Sequence, residues 1–175
     1  MENKETQPES KMEMMDDNAR KFIISNIDQE FLKKRAAVSY TLVMDWIGID
    51  PDDDRKIVCK TFTDGQSQIL LVSKITKNGN RQVEKKPITQ EEYQELLKSS
   101  RTHVEKKRFE INFTQDGQSF LLKYDEIKNS QLCLLEVDAP TAEVRASFDP
   151  KKFPYLLSEV TGNSQYYASR ITEAI

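Results

Sequence analysis

The chain has 175 residues, of which 31% are charged and 37% hydrophobic, and its formal net charge is -3 at pH 7. This length suits one domain with a single hydrophobic core. The small negative charge argues against a general nucleic-acid binder, since no global basic field would attract a phosphate backbone. No apolar run approaches the roughly 20 residues that span a bilayer, and the polar N-terminus lacks a signal-peptide core. We therefore expect a soluble cytoplasmic protein without membrane attachment.

Residues 1–16 predict a disordered tail, because they are polar and charged and show no sustained hydrophobic period. Residues 17–175 are predicted to form one domain. Its first elements, in chain order, are a strand over 20–26, a short helix over 28–35 and a long strand over 37–49. An acidic turn over 51–54 follows the long strand.

Three residue pairs predict hairpin turns between strand-like segments: Asp64-Gly65, Asn78-Gly79 and Asp116-Gly117. Such pairs tolerate the positive φ angles that two-residue primed turns need. Three hairpins indicate a meandering antiparallel sheet. The strands of this part of the chain are predicted over 56–62, 68–75, 81–86, 102–113 and 119–126.

The helices are predicted to be few, and they are segregated from the strands. One begins at Thr89, with Glu92 completing a capping box, and ends near Ser99. A last strand covers 131–138, a short helix begins near Thr141, and a C-terminal helix begins at about residue 164. About eight strands and a few helices place the chain in the α+β class.

Two strands carry one apolar face and one strongly charged face. In the strand over 102–113, Phe109 and Ile111 alternate with charged residues, and in the strand over 131–138 the polar face ends in Glu136 and Asp138. An antiparallel sheet with one wet face would explain each strand by itself. About eight strands can also curl so that the polar face lines an interior. Cations there would attract polyanions, and paired acids would hold Mg²⁺ or Mn²⁺, which bridge phosphate oxygens.

The second half of the chain, from about residue 87, contains five short segments in a characteristic order. They are Ile88–Tyr93 in the helix, Lys106-Lys107-Arg108, Leu134–Asp138, Glu159–Gly162 and Tyr166-Tyr167. This ordered set resembles the CYTH superfamily, the triphosphate tunnel metalloenzymes. That superfamily includes thiamine triphosphatases, inorganic triphosphatases and class IV adenylate cyclases. The resemblance implies an antiparallel β barrel or tunnel of about eight strands, with a few flanking helices.

The resemblance also implies a set of site residues. The cations that would bind phosphate are Lys21, Lys60, Lys74, Arg81, Lys106 and Arg108. The acids that would hold metal are Glu136, Asp138 and Glu159. The acid expected on the strand before Glu136 falls on Asp125, or that place is taken by Lys123; the sequence leaves both registers open.

The first half of the chain departs from the pattern of the superfamily. Its E-x-E-x-K signature falls on the segment 17–21, where Ala19 replaces the second acid. Val83 and Lys85 stand where two further acids are expected, and Glu84 is one residue out of phase, which should turn it to the other face. The resemblance therefore implies one Mg²⁺ or Mn²⁺ ion at Glu136 and Asp138 rather than two ions.

Three functions follow from these observations. The first is a CYTH-like protein that binds a triphosphate-containing ligand, a nucleotide or polyphosphate, with hydrolysis weak or lost. The second is an active Mg²⁺- or Mn²⁺-dependent triphosphatase, a hydrolase of phosphoric anhydrides. The third is a protein-interaction module on the same scaffold. The sequence assigns no catalytic residue, and it leaves the identity of the ligand and the oligomeric state open.

Overall fold

Ten strands of one sheet make up most of the protein in a computed structural model, which describes residues 15–16, 19–25, 28–50, 53–168 and 170. The strands are β1 (Met15–Asp16), β2 (Arg20–Ser25), β3 (Val38–Asp50), β4 (Asp53–Phe62), β5 (Ser67–Lys77), β6 (Asn80–Pro87), β7 (Thr102–Gln115), β8 (Gln118–Ile127), β9 (Cys133–Asp138) and β10 (Leu156–Glu159). The helices are α1 (Gln29–Arg35), α2 (Gln90–Leu97) and α3 (Ala142–Ala146). Single 3₁₀ turns cover Pro150–Lys152 and Ser164–Tyr166.

All neighbouring strands are antiparallel, in the order β1-β6-β5-β4-β3-β7-β8-β9-β2-β10. The predicted α+β class and antiparallel tunnel-like sheet are confirmed. The described strands add β1 and β10 to the eight that were predicted. Within the described residues β1 and β10 are not paired with each other, so the sheet is open and not a closed barrel. Strand β1 occupies the last two residues of the predicted tail, whose residues 1–14 lie outside the described residues.

Two of the three predicted hairpins have the expected turns. Asn78 and Gly79 have φ angles of 52° and 76°, and Asp116 and Gly117 have 50° and 76°. The third is different, since residues 63–66 form a four-residue loop in which only Gly65 has a positive φ, of 86°. There the carboxylate of Asp64 accepts a hydrogen bond from the amide of Gln66, which forms an Asx turn in place of a two-residue primed turn.

Each face of the sheet has its own apolar cluster. The outer face, which bears Phe109, packs against α1, α3 and the following segment through Leu32, Phe148 and Phe153. The inner face is the opposite one, and its apolar cluster includes Tyr40. The other buried members of the inner cluster are Leu42, Met44, Trp46, Val58, Val72, Val83, Val104, Ile127 and Leu134.

The inner face is the concave one. Strands β4 and β9 are four positions apart in the sheet, so in a flat sheet they would be separated by roughly 19 Å. Lys56 on β4 nevertheless interacts electrostatically with Glu136 on β9. The sheet therefore curls enough to bring the polar side chains of distant strands into one shared space.

The helix ends agree with the sequence signals at α2 and differ at the C-terminus. Thr89 accepts a hydrogen bond from the amide of Glu92, and the Glu92 carboxylate accepts one from the amide of Thr89, which is the predicted capping box. Thr141 caps α3. The predicted C-terminal helix from residue 164 is wrong over the described residues, where Ser164–Tyr166 forms one 3₁₀ turn; residues 171–175 lie outside them.

Candidate functional site

The polar residues of the inner face are positioned by cross-strand pairing. Arg108 on β7 lies between Tyr40 on β3 and Asp125 on β8, because it pairs with both. On β9, Glu136 pairs with Lys123 on one side and with Lys21 on the other. Alternation along β7 then adds Lys106 to the same face as Arg108. Strands distant in sequence thus converge on one charged surface.

The centre of this surface is an ion network formed by Lys21, Lys106, Arg108, Asp125 and Glu136. Asp125 accepts hydrogen bonds of 2.7 Å from Lys106 Nζ, Arg108 Nε and Arg108 Nη2. Glu136 Oε1 lies 3.4 Å from Arg108 Nη2 and 3.9 Å from Lys21 Nζ. Asp125 is only 1% exposed and Lys106 only 8%, so water has little access to the ion pairs of this network.

Neighbouring charges decide the protonation of the network. Burial opposes the ionisation of Asp125, but Arg108 and Lys106 outweigh it and hold the pKa of that carboxyl below its usual range. Burial likewise opposes the ionisation of Glu136, and the same two cations together with Lys21 hold its pKa far below the usual range. Both acids are therefore charged at neutral pH, and they offset part of the positive charge of the inner face.

A second group of inner-face cations lies outside the network. Lys60 Nζ lies 3.8 Å from the centre of the Tyr40 ring and 4.9 Å from that of Phe62, and burial lowers the pKa of Lys60. Lys56 Nζ lies 5.2 Å from the centre of the Trp46 ring. Within the described part of the chain, three of these cations have no carboxylate at ion-pair distance: Lys56, Lys60 and Lys123.

The six cations predicted to bind phosphate are not equally placed. Lys21, Lys106 and Arg108 belong to the central network. Lys60 and Lys74 lie on the inner face outside it, on β4 and β5. Arg81 has a register position on β6 opposite Thr76, and its side chain lies outside the description. Their role in phosphate binding stays a prediction.

The structure adds residues that the sequence left open or did not assign. Lys123 pairs with Glu136, and Asp125 pairs with Leu134. Lys123 and Asp125 therefore both lie on the inner face. The two registers that the sequence left open thus place their residue in the same space. Lys56 was not assigned to the site. It lies four residues before Lys60 in the predicted strand over 56–62, and alternation therefore puts it on the same face; the pairing of β4 with β3 and β5 agrees with this.

The three acids predicted to hold metal are not brought together. Glu136 and Asp138 share the inner face of β9, where Asp138 accepts hydrogen bonds from Arg145 and from the amide of Ala139. Glu159 pairs in register with Phe22, which puts it on the outer face. This corrects its predicted place in the tunnel.

On the outer face, the Glu159 carboxylate accepts two hydrogen bonds of 2.9 Å from Arg20. The residues present do not fit a metal held by Glu136, Asp138 and Glu159. No cluster of three or more His, Cys, Asp or Glu side chains suited to a metal occurs among the residues described. Glu136 and Asp138 already face arginines, whereas Mg²⁺ needs near-octahedral oxygen coordination.

Comparison with solved structures shows that this open antiparallel sheet with a charged inner face and flanking helices is the fold of known triphosphatase structures. The crystal structure of the inorganic triphosphatase NE1496 superposes with a TM-score of 0.56 at 19% identity, over 90% of this chain and 97% of that chain. A structure titled hypothetical protein NE1496 gives 0.54 at 20% identity, over 87% and 95%. No protein-family model and no curated protein sequence matches the chain.

Across the part of the chain that the structure describes, no helix has the length and apolar character needed to cross a membrane.

Proposed function

We propose that the protein binds a triphosphate-containing anion, a nucleotide or a polyphosphate, on the inner face of its sheet. The observation that carries the proposal is a group of inner-face cations that have no carboxylate at ion-pair distance among the described residues: Lys56, Lys60 and Lys123. Cations in a concave, partly desolvated space focus a positive potential and attract polyanions. The fold likeness to an inorganic triphosphatase supports the same ligand class.

Hydrolysis is proposed to be weak or lost. Phosphoryl transfer depends on metal ions that neutralise charge and on groups that position the attacking water. Val83 and Lys85 occupy inner-face positions on β6 where the resemblance leads us to expect acids. Asp125 is held by two cations, and Asp138 is held by Arg145. Losing metal ligands costs rate more than binding, because the cations that attract the ligand are retained.

The test is a titration of the purified protein with tripolyphosphate in EDTA, followed by calorimetry and by thermal shift. A ligand that prefers the folded state raises the melting temperature by mass action. Lys60→Gln and Lys123→Gln should each weaken binding about tenfold, which corresponds to about 1.4 kcal/mol. Lys107→Gln is the matched control, since Lys107 is an exposed cation on the outer face of β7. Absence of binding, or an equal loss in the control, would overturn the proposal.

An active metal-dependent triphosphatase is the second candidate. It is favoured by Glu136 and Asp138, two inner-face carboxylates two residues apart on β9, beside the cations. This activity would need one Mg²⁺ or Mn²⁺ ion, which these two acids would hold only by releasing the arginines that they face in the structure. Phosphate release that requires either ion and is lost in Glu136→Gln would establish this activity. Absence of anion binding to the wild type would instead favour the third function, a protein-interaction module.

A further inference from the structure

Lys56 has an unusual position for a lysine. It lies in β4 on the inner face, between Trp46 on β3 and Val72 on β5, both of which are buried. Its Nζ faces the Trp46 ring. No described carboxylate lies at ion-pair distance from it, unlike Lys106, which donates to Asp125. The ammonium form of Lys56 therefore lacks the ion pair that Lys106 has.

The charged groups around Lys56 are mostly cations. The strongest electrostatic interactions come from Lys74 on β5 and from Lys106 and Arg108 on β7, which oppose its charge, and from Glu136 on β9, which supports it. Among the side chains that the structure describes, the remaining titratable groups on the inner face of these strands are Lys21, Tyr40, Asp54, Lys60, Lys85, Glu110, Lys123, Asp125 and Asp138.

This environment favours the neutral amine in the free protein. Burial, followed by the charges of Lys74, Lys106 and Arg108, lowers the pKa of Lys56 to about 7. A bound polyanion would reverse the sign of the local field, because phosphate oxygens would lie among the same cations. An opposite charge within about 4–6 Å favours the charged form of a titratable group.

We propose that Lys56 is a further ligand-binding residue, and that its amine takes up one proton from solvent when a triphosphate-type anion binds. The inference rests on the proposed function. The step forms one N–H bond and no bond to phosphorus: the neutral amine and a solvent proton give an ammonium group, which donates to a phosphate oxygen. Binding is therefore linked to pH through a residue of the site itself.

The experiment is calorimetry of tripolyphosphate binding in EDTA at pH 8, in buffers that differ in ionisation enthalpy, which counts the protons exchanged. Lys56→Arg keeps a permanent cation at the position. The wild type should take up about one proton more per ligand than Lys56→Arg. Titration of the ligand itself contributes equally to both proteins, so it cancels in the difference. Lys123→Gln is the control that should weaken binding and keep the uptake.

The pH dependence of affinity gives a second readout. Between pH 7.5 and 8.5 the dissociation constant of the wild type should rise up to about tenfold relative to that of Lys56→Arg. Binding with equal proton uptake in the two proteins would overturn the role of Lys56 and leave the proposed function standing. Absence of binding to the wild type would overturn both.

A measurement on the free protein covers the case in which Lys56→Arg does not fold. Reductive methylation with ¹³C-formaldehyde labels lysine amines, and Lys56→Met identifies the resonance of Lys56 by its loss. That resonance should titrate near pH 7 in the free protein and at higher pH with tripolyphosphate bound. Titration near the ordinary lysine pKa of about 10.4 in the free protein would overturn the inference.

Discussion

Asp125 on β8 lies directly opposite Arg108 on β7 and accepts two hydrogen bonds of 2.7 Å from its guanidinium group. Lys106 donates a third bond to the same carboxylate. One buried acid thus holds two cations that the resemblance assigns to phosphate. Because a ligand would compete with this acid, the cations without such a partner are the ones more readily available to an incoming anion.

We expect Asp125→Asn to lower the free energy of unfolding by about 3 kcal/mol, since it removes the carboxylate that pairs with buried Lys106 and leaves Arg108 with Glu136 alone. Urea unfolding followed by circular dichroism measures the change. Asp116→Asn is the control, because Asp116 forms an ion pair with Lys152 at an exposed hairpin turn and should change stability little. Equal effects in the two variants would contradict the energetic role of the buried network.

The strands of the fold could be predicted because their signals are local. Asn78-Gly79 and Asp116-Gly117 adopt positive φ angles with little strain, so each pair marks a tight turn between two alternating segments. Asp64-Gly65 belongs to the same class of pair, yet its turn is longer. There the Asp64 side chain accepts a hydrogen bond from the amide of Gln66. The residue pair alone does not indicate whether such an Asx turn or a two-residue primed turn will form.

The parts of the site that could not be predicted depend on long-range pairing. Strand β10 has four residues and pairs with β2, which lies far away in sequence, so no local pattern fixes the face on which Glu159 lies. Alternation in the predicted strand over 56–62 puts Lys56 on the face of Lys60, but it does not show that this face is enclosed. Only the curl of the sheet, which brings it near Glu136, gives it an interior environment.

His103 provides a spectroscopic test of the outer face, since it is the one histidine of the chain. Its Nδ1 lies 2.8 Å from Asp45 Oδ1 and its Nε2 lies 3.2 Å from Glu105 Oε1. The hydrogen bond with Asp45 outweighs burial and raises the pKa of His103 above 6.5. In ¹H NMR the imidazole resonance should titrate above this value, and Asp45→Asn should return it toward 6.5. An unchanged titration in Asp45→Asn would exclude this contact.

The same pair predicts a small pH dependence of stability. A raised folded-state pKa means that the contribution of His103 is complete below its unfolded pKa of about 6.5 and is lost as pH rises through the folded value. The unfolding free energy of the wild type should therefore fall with rising pH in this window relative to His103→Gln. Half of the His103 side chain is exposed, so solvent screening keeps the effect small. Parallel pH profiles would contradict the prediction.

Removing the capping box should affect α2 locally. Thr89→Ala removes the acceptor for the Glu92 amide, a loss of about 1 kcal/mol of helix stability. No residue of α2 is buried, so tertiary packing compensates little. Amide hydrogen exchange should become faster within Gln90–Leu97 and stay unchanged in β7, while Thr89→Ser should behave like the wild type. Faster exchange throughout the sheet would show that the helix is coupled to the core.

The placement of Glu159 on the outer face predicts that it has no part in ligand binding. Glu159→Gln breaks the paired hydrogen bonds with Arg20 and should lower the unfolding free energy by no more than about 1 kcal/mol, because the side chain is 41% exposed. Tripolyphosphate affinity and its dependence on Mg²⁺ should be unchanged.

Glu136→Gln is the matched inner-face variant, and it should alter affinity, since it removes a negative charge beside Arg108 and Lys21. Calorimetry of both variants, with and without Mg²⁺, separates the two faces. A loss of Mg²⁺-dependent binding in Glu159→Gln would mean that the carboxylate reaches the ligand after all.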